Sequence, residues 1–146
     1  MPITVLIADH EKKRSANCLR HLELSKGIRV IGEARSGVQT LALVAGLKPR
    51  ILLLDLELSK EKGVSLLPLL RQLSPATSVI LLGPASEKRI LDELSRGAKG
   101  YLEQEQLYTS LTRAIRLVHS GETWIARKLI AKIVNRLLRP SRGGRA

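Results

Sequence analysis

Ile51-Leu52-Leu53-Leu54 is an unbroken apolar run that stops on a carboxylate, Asp55. Four residues are too few for a helix and suit a strand buried on both faces, as in a parallel sheet covered by helices. Beyond Asp55 the apolar character gives way to Ser59-Lys60-Glu61-Lys62-Gly63. In open α/β sheets, ligands gather just past the carboxyl ends of the strands, which makes Asp55 a site candidate. The plainer reading is an acid that marks a strand-to-loop boundary.

The same punctuation recurs along the chain. Residues 3–8 read as a buried strand ending at Asp9-His10-Glu11, and from Lys12 the pattern turns helical, with Ala16, Leu19 and Leu22 on one face. A second strand covers 29–34. Ser36 offers an N-cap to a helix carrying Val38, Leu41, Ala42 and Ala45, closed by Gly46 and Pro49. After the third strand, Gly63 opens a helical pattern from Val64 to Leu73, where Pro68 predicts a late start or a bend. Strand four covers 78–82 and ends at Gly83-Pro84. Ser86-Glu87 caps a helix with Ile90, Leu91 and Leu94, stopped at Gly97. A short fifth strand, 100–102, precedes a helix with Leu107, Leu111, Ala114, Ile115 and Val118, stopped at Ser120-Gly121. Strands alternating with helices predict an α/β fold: a doubly wound, five-stranded parallel sheet with helices on both faces.

With 146 residues the chain is long enough for one domain with a short extension. There is no Phe, so its core must be aliphatic. The single Cys18 excludes an internal disulfide and a Cys-based zinc site, and reads as a small buried hydrophobe. His21 and His119 lack partners at metal spacing and read as surface residues. No apolar run reaches membrane-spanning length and the N-terminus lacks a signal peptide's regions, so a cytoplasmic protein is expected.

The net charge of +12 is unevenly spread: from Gln106 onward nine Lys and Arg face one acid, Glu122. Ile125, Leu129, Ile130, Ile133, Val134 and Leu137 form a stripe at helical spacing, with Arg127, Lys128, Lys132 and Arg136 mostly off it. The expected organisation is a domain over 1–121, a basic amphipathic helix over 122–139 and a disordered Gly/Arg-rich tail over 140–146. An apolar stripe of that length, left exposed, would favour association with a neighbour or a second copy.

If strands one and three are neighbours, Asp9 and Asp55 converge at one edge of the sheet, and clustered carboxylates commonly hold a hard cation such as Mg²⁺. Four segments then resemble the response-regulator receiver domain, specifically the NarL/FixJ subfamily with LuxR-type output. They are V-L-I-A-D-H-E at 5–11, I-L-L-L-D-L-E-L-S-K-E-K-G at 51–63, R-G-A-K-G-Y-L at 96–102 and A-I-R-L-V-H-S-G-E-T-W-I-A at 114–126. The resemblance implies a flavodoxin/CheY-like strand order, 2-1-3-4-5, and a linker helix after Gly121. It makes Asp55 the phosphoacceptor candidate, served by a sensor histidine kinase or a small phosphodonor. It also implies Mg²⁺ held by Asp9, Asp55 and the backbone carbonyl of Glu57, and a switch position at Tyr101. The usual output is a C-terminal helix-turn-helix that binds DNA, which this chain does not include.

Three positions depart from the family's pattern. His10 stands where a second acid helps hold Mg²⁺, and imidazole suits that ion poorly. Gly83 replaces a Ser or Thr, and Gln104 replaces a Lys, both of which contact phosphoryl oxygens. Phosphoryl transfer is catalysed mainly by positioning and charge stabilisation, and one lost oriented donor costs roughly 10²–10³ in rate. The expectation is an atypical receiver with weak or absent phosphorylation of Asp55, Mg²⁺ binding in doubt, and action by protein contact as a homodimer. Glu57 could supply negative charge without phosphate, while His10 reads as an exposed polar loop residue. The alternative function is binding of a phosphate backbone or an anionic surface through the basic C-terminal helix. An enzyme, such as an aspartyl-nucleophile phosphatase, is disfavoured because Glu57 stands where a second Asp would be needed.

Overall fold

A computed structural model of the chain describes residues 1–139; the expected tail at 140–146 lies outside the described residues. Five parallel strands form one sheet: β1 (Ile3–Ala8), β2 (Ile28–Ala34), β3 (Ile51–Asp55), β4 (Ser78–Leu82) and β5 (Gly100–Leu102). Their spatial order is β2-β1-β3-β4-β5, as the family resemblance implied. The winding reverses between β1 and β3, so the crevice of a doubly wound sheet opens at the ends of these two strands.

Helices α1 (Lys12–Glu23), α2 (Gly37–Leu47), α3 (Leu67–Leu73), α4 (Glu87–Ser95) and α5 (Leu107–His119) cover both faces. Alternate residues of β1 and β3 divide the core. Leu6, Ala8, Leu52 and Leu54 pack with Val44 of α2, Leu70 of α3 and Ile90 and Leu94 of α4. Val5, Ile7, Ile51 and Leu53 pack with Cys18 and Leu22 of α1 and with Leu111, Ile115 and Val118 of α5. Burial on both sides is why β3 reads as a continuous apolar run. The aliphatic core and the buried Cys18 match the expectation, and no described helix is long and apolar enough to cross a membrane.

Local signals place the helix starts. The hydroxyls of Ser36 and Ser86 accept from the N–H groups of Gln39 and Arg89, capping α2 and α4 as anticipated. Pro68 lies in the first turn of α3, where its missing N–H costs nothing, and the helix starts late. Two readings need correction. Gly63 opens no helix: with Lys62 it forms a turn at positive φ (49° and 79°) joining the antiparallel pieces Lys60–Glu61 and Val64–Ser65, a ladder separate from the main sheet. Gly46 does not close α2, which runs on to Leu47. Lys48 takes the left-handed position (φ 46°), and its ammonium donates to the Leu73 carbonyl at 2.7 Å.

After α5 the chain runs beside β5, where Tyr101 N–H donates to Trp124 O at 2.9 Å and Trp124 N–H to Lys99 O at 3.0 Å. This lays the last helix, α6 (Arg127–Leu138), across α4.

Candidate functional site

Strand ends bring the two aspartates together. Asp9 follows the last residue of β1 and Asp55 is the last residue of β3; these strands pair in register, and both side chains are buried, at 0% and 1% exposure. Between them lies a residue that the sequence reading did not single out. Arg14, in the first turn of α1 and only 4% exposed, forks onto Asp9, with Nε donating to Oδ2 at 2.6 Å and Nη2 to Oδ1 at 2.8 Å. Nη2 also lies 3.3 Å from Asp55 Oδ2, and Nη1 donates to Glu11 at 3.1 Å. Arg14, Ser15, Cys18 and Leu22 share the inward face of α1. The signal available was an arginine at i−4 from Cys18 on an otherwise buried helix face.

His10 joins the same cluster. Its ring is half-exposed but not idle: Nδ1 faces Asp55 Oδ2, its backbone N–H donates to the same oxygen at 3.2 Å, and Nε2 lies 3.3 Å from Glu57. An anionic carboxylate can only accept, so Nδ1 carries the proton. The remaining Asp55 oxygen, Oδ1, accepts the Glu57 N–H at 3.0 Å. Glu11 does not reach toward Asp55: its N–H donates to Asp9 Oδ1 at 2.9 Å, and its carboxylate holds Arg14.

These contacts set the protonation of the cluster. Burial pushes the Asp55 carboxyl up, but hydrogen bonds from the His10 ring and the Glu57 N–H more than offset it, so Asp55 sits below the ordinary carboxylate range. At Asp9 burial outweighs the pull of Arg14 and raises the carboxyl. The Asp55 carboxylate raises His10 above its ordinary 6.5, against the opposing effect of burial. Burial works against the charge of Arg14, yet its bonds to Asp9 raise it further, so it stays a cation.

The other candidate positions lie around this cluster. Gly83 follows β4 with φ of +92°, and a Cβ there would stand 2.7 Å from Asp55 Oδ1 and 3.3 Å from Arg14 Nη2. The position therefore has no room for a serine or threonine as the loop now runs. Tyr101 is buried on β5, and its hydroxyl donates to the Gly83 carbonyl at 3.1 Å. Gln104 is exposed in a turn (Gln104–Gln106) that precedes α5, and Ser86 is spent as a cap. His21 and His119 are exposed and remote; His21 stacks on Tyr108.

On the far side of α4, the stripe of α6 is split. Leu129 is 4% exposed and packs, with Ile125 and Ile133, into the cluster containing Ile90, Leu94 and Tyr101. Ile130, Val134 and Leu137 face outward. The basic residues face the domain's own acids: Lys132 pairs with Glu87, Arg136 with Asp92 at 3.5 Å and Lys128 with Glu103 at 3.4 Å.

A doubly wound parallel sheet in the order β2-β1-β3-β4-β5, with two acids at its switch point and a buried tyrosine on its last strand, has the fold of a receiver domain. Residues 5–116 match the family model of the response regulator receiver domain, and the chain belongs to that family. It is 28% identical over 129 residues to the nitrate/nitrite response regulator protein NarL of Escherichia coli K12, covering 88% of this chain and 60% of that protein. It is 29% identical over 134 residues to the transcriptional regulatory protein LiaR of Bacillus subtilis, covering 91% and 63%. The chain thus spans about 60% of the length of these relatives. Among solved structures, a LuxR-family two-component response regulator from Aurantimonas sp. SI85-9A1 superposes with a TM-score of 0.81 at 19% identity, covering 95% of this chain and all of that one. The isolated REC domain of RcsB from Salmonella enterica serovar Typhimurium, with phosphomimetic BeF3⁻, gives 0.77 at 18% identity over 91% of this chain and 99% of that one.

Receiver domains bind Mg²⁺ in an acidic pocket, and here Asp9, His10 and Asp55 each offer a ligand atom, all within 4.8 Å of one another. The donor set as arranged does not fit the ion. Both Asp9 oxygens accept from a guanidinium, Asp55 Oδ2 faces His10 and Arg14, and the third ligand is an imidazole.

Proposed function

We propose that the chain is the signal-receiving module of a two-component, LuxR-type transcription regulator in which Asp55 is phosphorylated weakly or not at all. The receiver comprises 1–121 and the linker helix 122–139, and the module works by protein contact as a homodimer. One observation carries this reading: the acceptor carboxylate is already engaged, with Oδ2 against His10 and Arg14 and Oδ1 on the Glu57 N–H. An incoming phosphoryl group would have to displace these partners. It would also find neither a hydroxyl at Gly83 nor an ammonium at Gln104 to receive its oxygens. The partners are a sensor histidine kinase or another regulatory protein, and DNA through a C-terminal helix-turn-helix where the longer protein has one.

Intact mass spectrometry after incubation with acetyl phosphate and Mg²⁺ tests this, with Asp55→Asn and an active receiver as controls. The reading expects no adduct. A single phosphate on the wild type that Asp55→Asn lacks would overturn it. Binding of a phosphate backbone by α6 is less favoured, because Lys128, Lys132 and Arg136 already pair with acids of the receiver. Strong, salt-sensitive DNA binding by 1–146 that 1–121 lacks would restore that alternative.

A further inference from the structure

We infer that Arg14 is a resident cation: its guanidinium fills the place between Asp9 and Asp55 that a divalent ion would take, so this chain holds its site together without Mg²⁺. The inference deepens the functional reading above and rests on it for the identity of the acidic pocket. Two carboxylates brought to neighbouring strand ends and buried must share a counter-charge, because buried acids are rarely found unpaired. Most of what such a charge must do, Arg14 does. It satisfies both oxygens of Asp9 through a planar fork, reaches Asp55 at 3.3 Å with the same Nη2, and is pinned from outside by Glu11. A guanidinium is always charged and matches carboxylate geometry with two parallel donors, which suits it to a buried ion pair better than an ammonium.

Two other residues are shaped around this group. At Gly83 a Cβ would come within 2.7 Å of Asp55 Oδ1 and 3.3 Å of Arg14 Nη2, so only a residue without a side chain lets the loop pass this close to the pair. His10 Nδ1 also faces Asp55 Oδ2, and when its ring is protonated it adds positive charge beside the lone guanidinium, which brings one charge to two carboxylates. A bound metal ion exchanges with solution and presents open coordination positions to a phosphoryl group. A side chain anchored in α1 does neither. The consequence is a site whose charge balance is written into the chain and does not respond to Mg²⁺.

Thermal unfolding of the wild type, Arg14→Ala and Arg14→Lys, each in EDTA and across a millimolar Mg²⁺ titration, tests the inference. The wild-type Tm should be the same in EDTA and Mg²⁺. Arg14→Ala should lose roughly 10 °C in EDTA and recover part of it, saturably, as Mg²⁺ enters the vacated place. Arg14→Lys, which keeps a charge but not the fork, should fall between the two with little Mg²⁺ response. A wild type stabilised saturably by Mg²⁺ would overturn the inference, as would an Arg14→Ala variant that melts like the wild type in EDTA. If Arg14→Ala does not fold in either condition, the wild type decides alone. Mn²⁺ should then leave the amide NMR signals of Asp9, Asp55 and Glu57 sharp, and selective broadening there refutes the assignment. The two readings fail separately. An Asp55 adduct on a wild type whose Tm ignores Mg²⁺ sinks the functional reading only, whereas Mg²⁺ stabilisation without an adduct sinks the role of Arg14 only.

Discussion

Arg14 and Lys132 both neutralise carboxylates of the receiver, one from beneath the strand ends and the other from the outer surface. Arg14 is almost wholly inaccessible and makes three charge-assisted bonds, to two different acids, besides its approach to Asp55. Lys132 and Glu87 are about half exposed and meet through a single pair. In water such a pair contributes little, because solvation and side-chain freedom compete with it. Inside, neither competitor is available, and an unpaired charge is costly. The contrast implies that the geometry of the site is fixed by charge, whereas the seating of α6 is fixed mainly by Leu129 and only trimmed by charge.

Breaking the buried end should have the largest effect. In EDTA, Arg14→Ala is expected to destabilise the chain by about 3–5 kcal/mol in urea denaturation, since it strands Asp9 and Asp55. A loss below about 1 kcal/mol would mean that the cluster is better solvated than its burial implies. Next comes the apolar anchor of the outer helix. Leu129→Ala should cost about 2–4 kcal/mol of the docking of α6. Hydrogen exchange should then accelerate across α6 while the amides of β1 and β3 stay protected.

A smaller effect belongs to His10. Its pKa is raised in the folded state, chiefly by its bond to Asp55, with Glu57 and Asp9 adding to it. The stability it contributes is therefore fully present below 6.5 and is lost as the pH rises through the higher folded value. The wild-type Tm should accordingly fall across that window relative to His10→Gln, and parallel profiles would show that the ring and Asp55 are not coupled. The smallest change is expected from Lys132→Ala, no more than about 1 kcal/mol and fading at high salt.

Much of this architecture is legible in the sequence alone. Continuous apolar runs ending on Asp9 and Asp55 dictate a sheet buried on both sides, and neighbouring strands then bring the two acids together. The caps at Ser36 and Ser86 and the late start at Pro68 are local effects, decided by chemistry within one turn. What escaped depends on tertiary placement. Arg14 has one cue in the sequence, its place four residues before Cys18 on the buried face of α1, but that spacing does not say that its head folds back under the strand end onto Asp9. His10 is ordinary as a loop residue and acquires a role only once Asp55, 45 positions away, arrives beside it. Lys62-Gly63 carries a hairpin turn, but the apolar residues after it matched a helical period equally well. The α6 stripe was legible as amphipathic, but which half would face the receiver depends on the path of Trp124 along β5.

The cluster of Asp55, His10 and Arg14 should be closed to a phosphoryl group. An amide NMR titration of the wild type with beryllofluoride and Mg²⁺ addresses it most directly, because the phosphate mimic binds without a covalent step. The signals of Glu57, Gly83 and Tyr101 should stay where they are throughout. Saturable shifts at these residues that are absent from Asp55→Asn would contradict that closure.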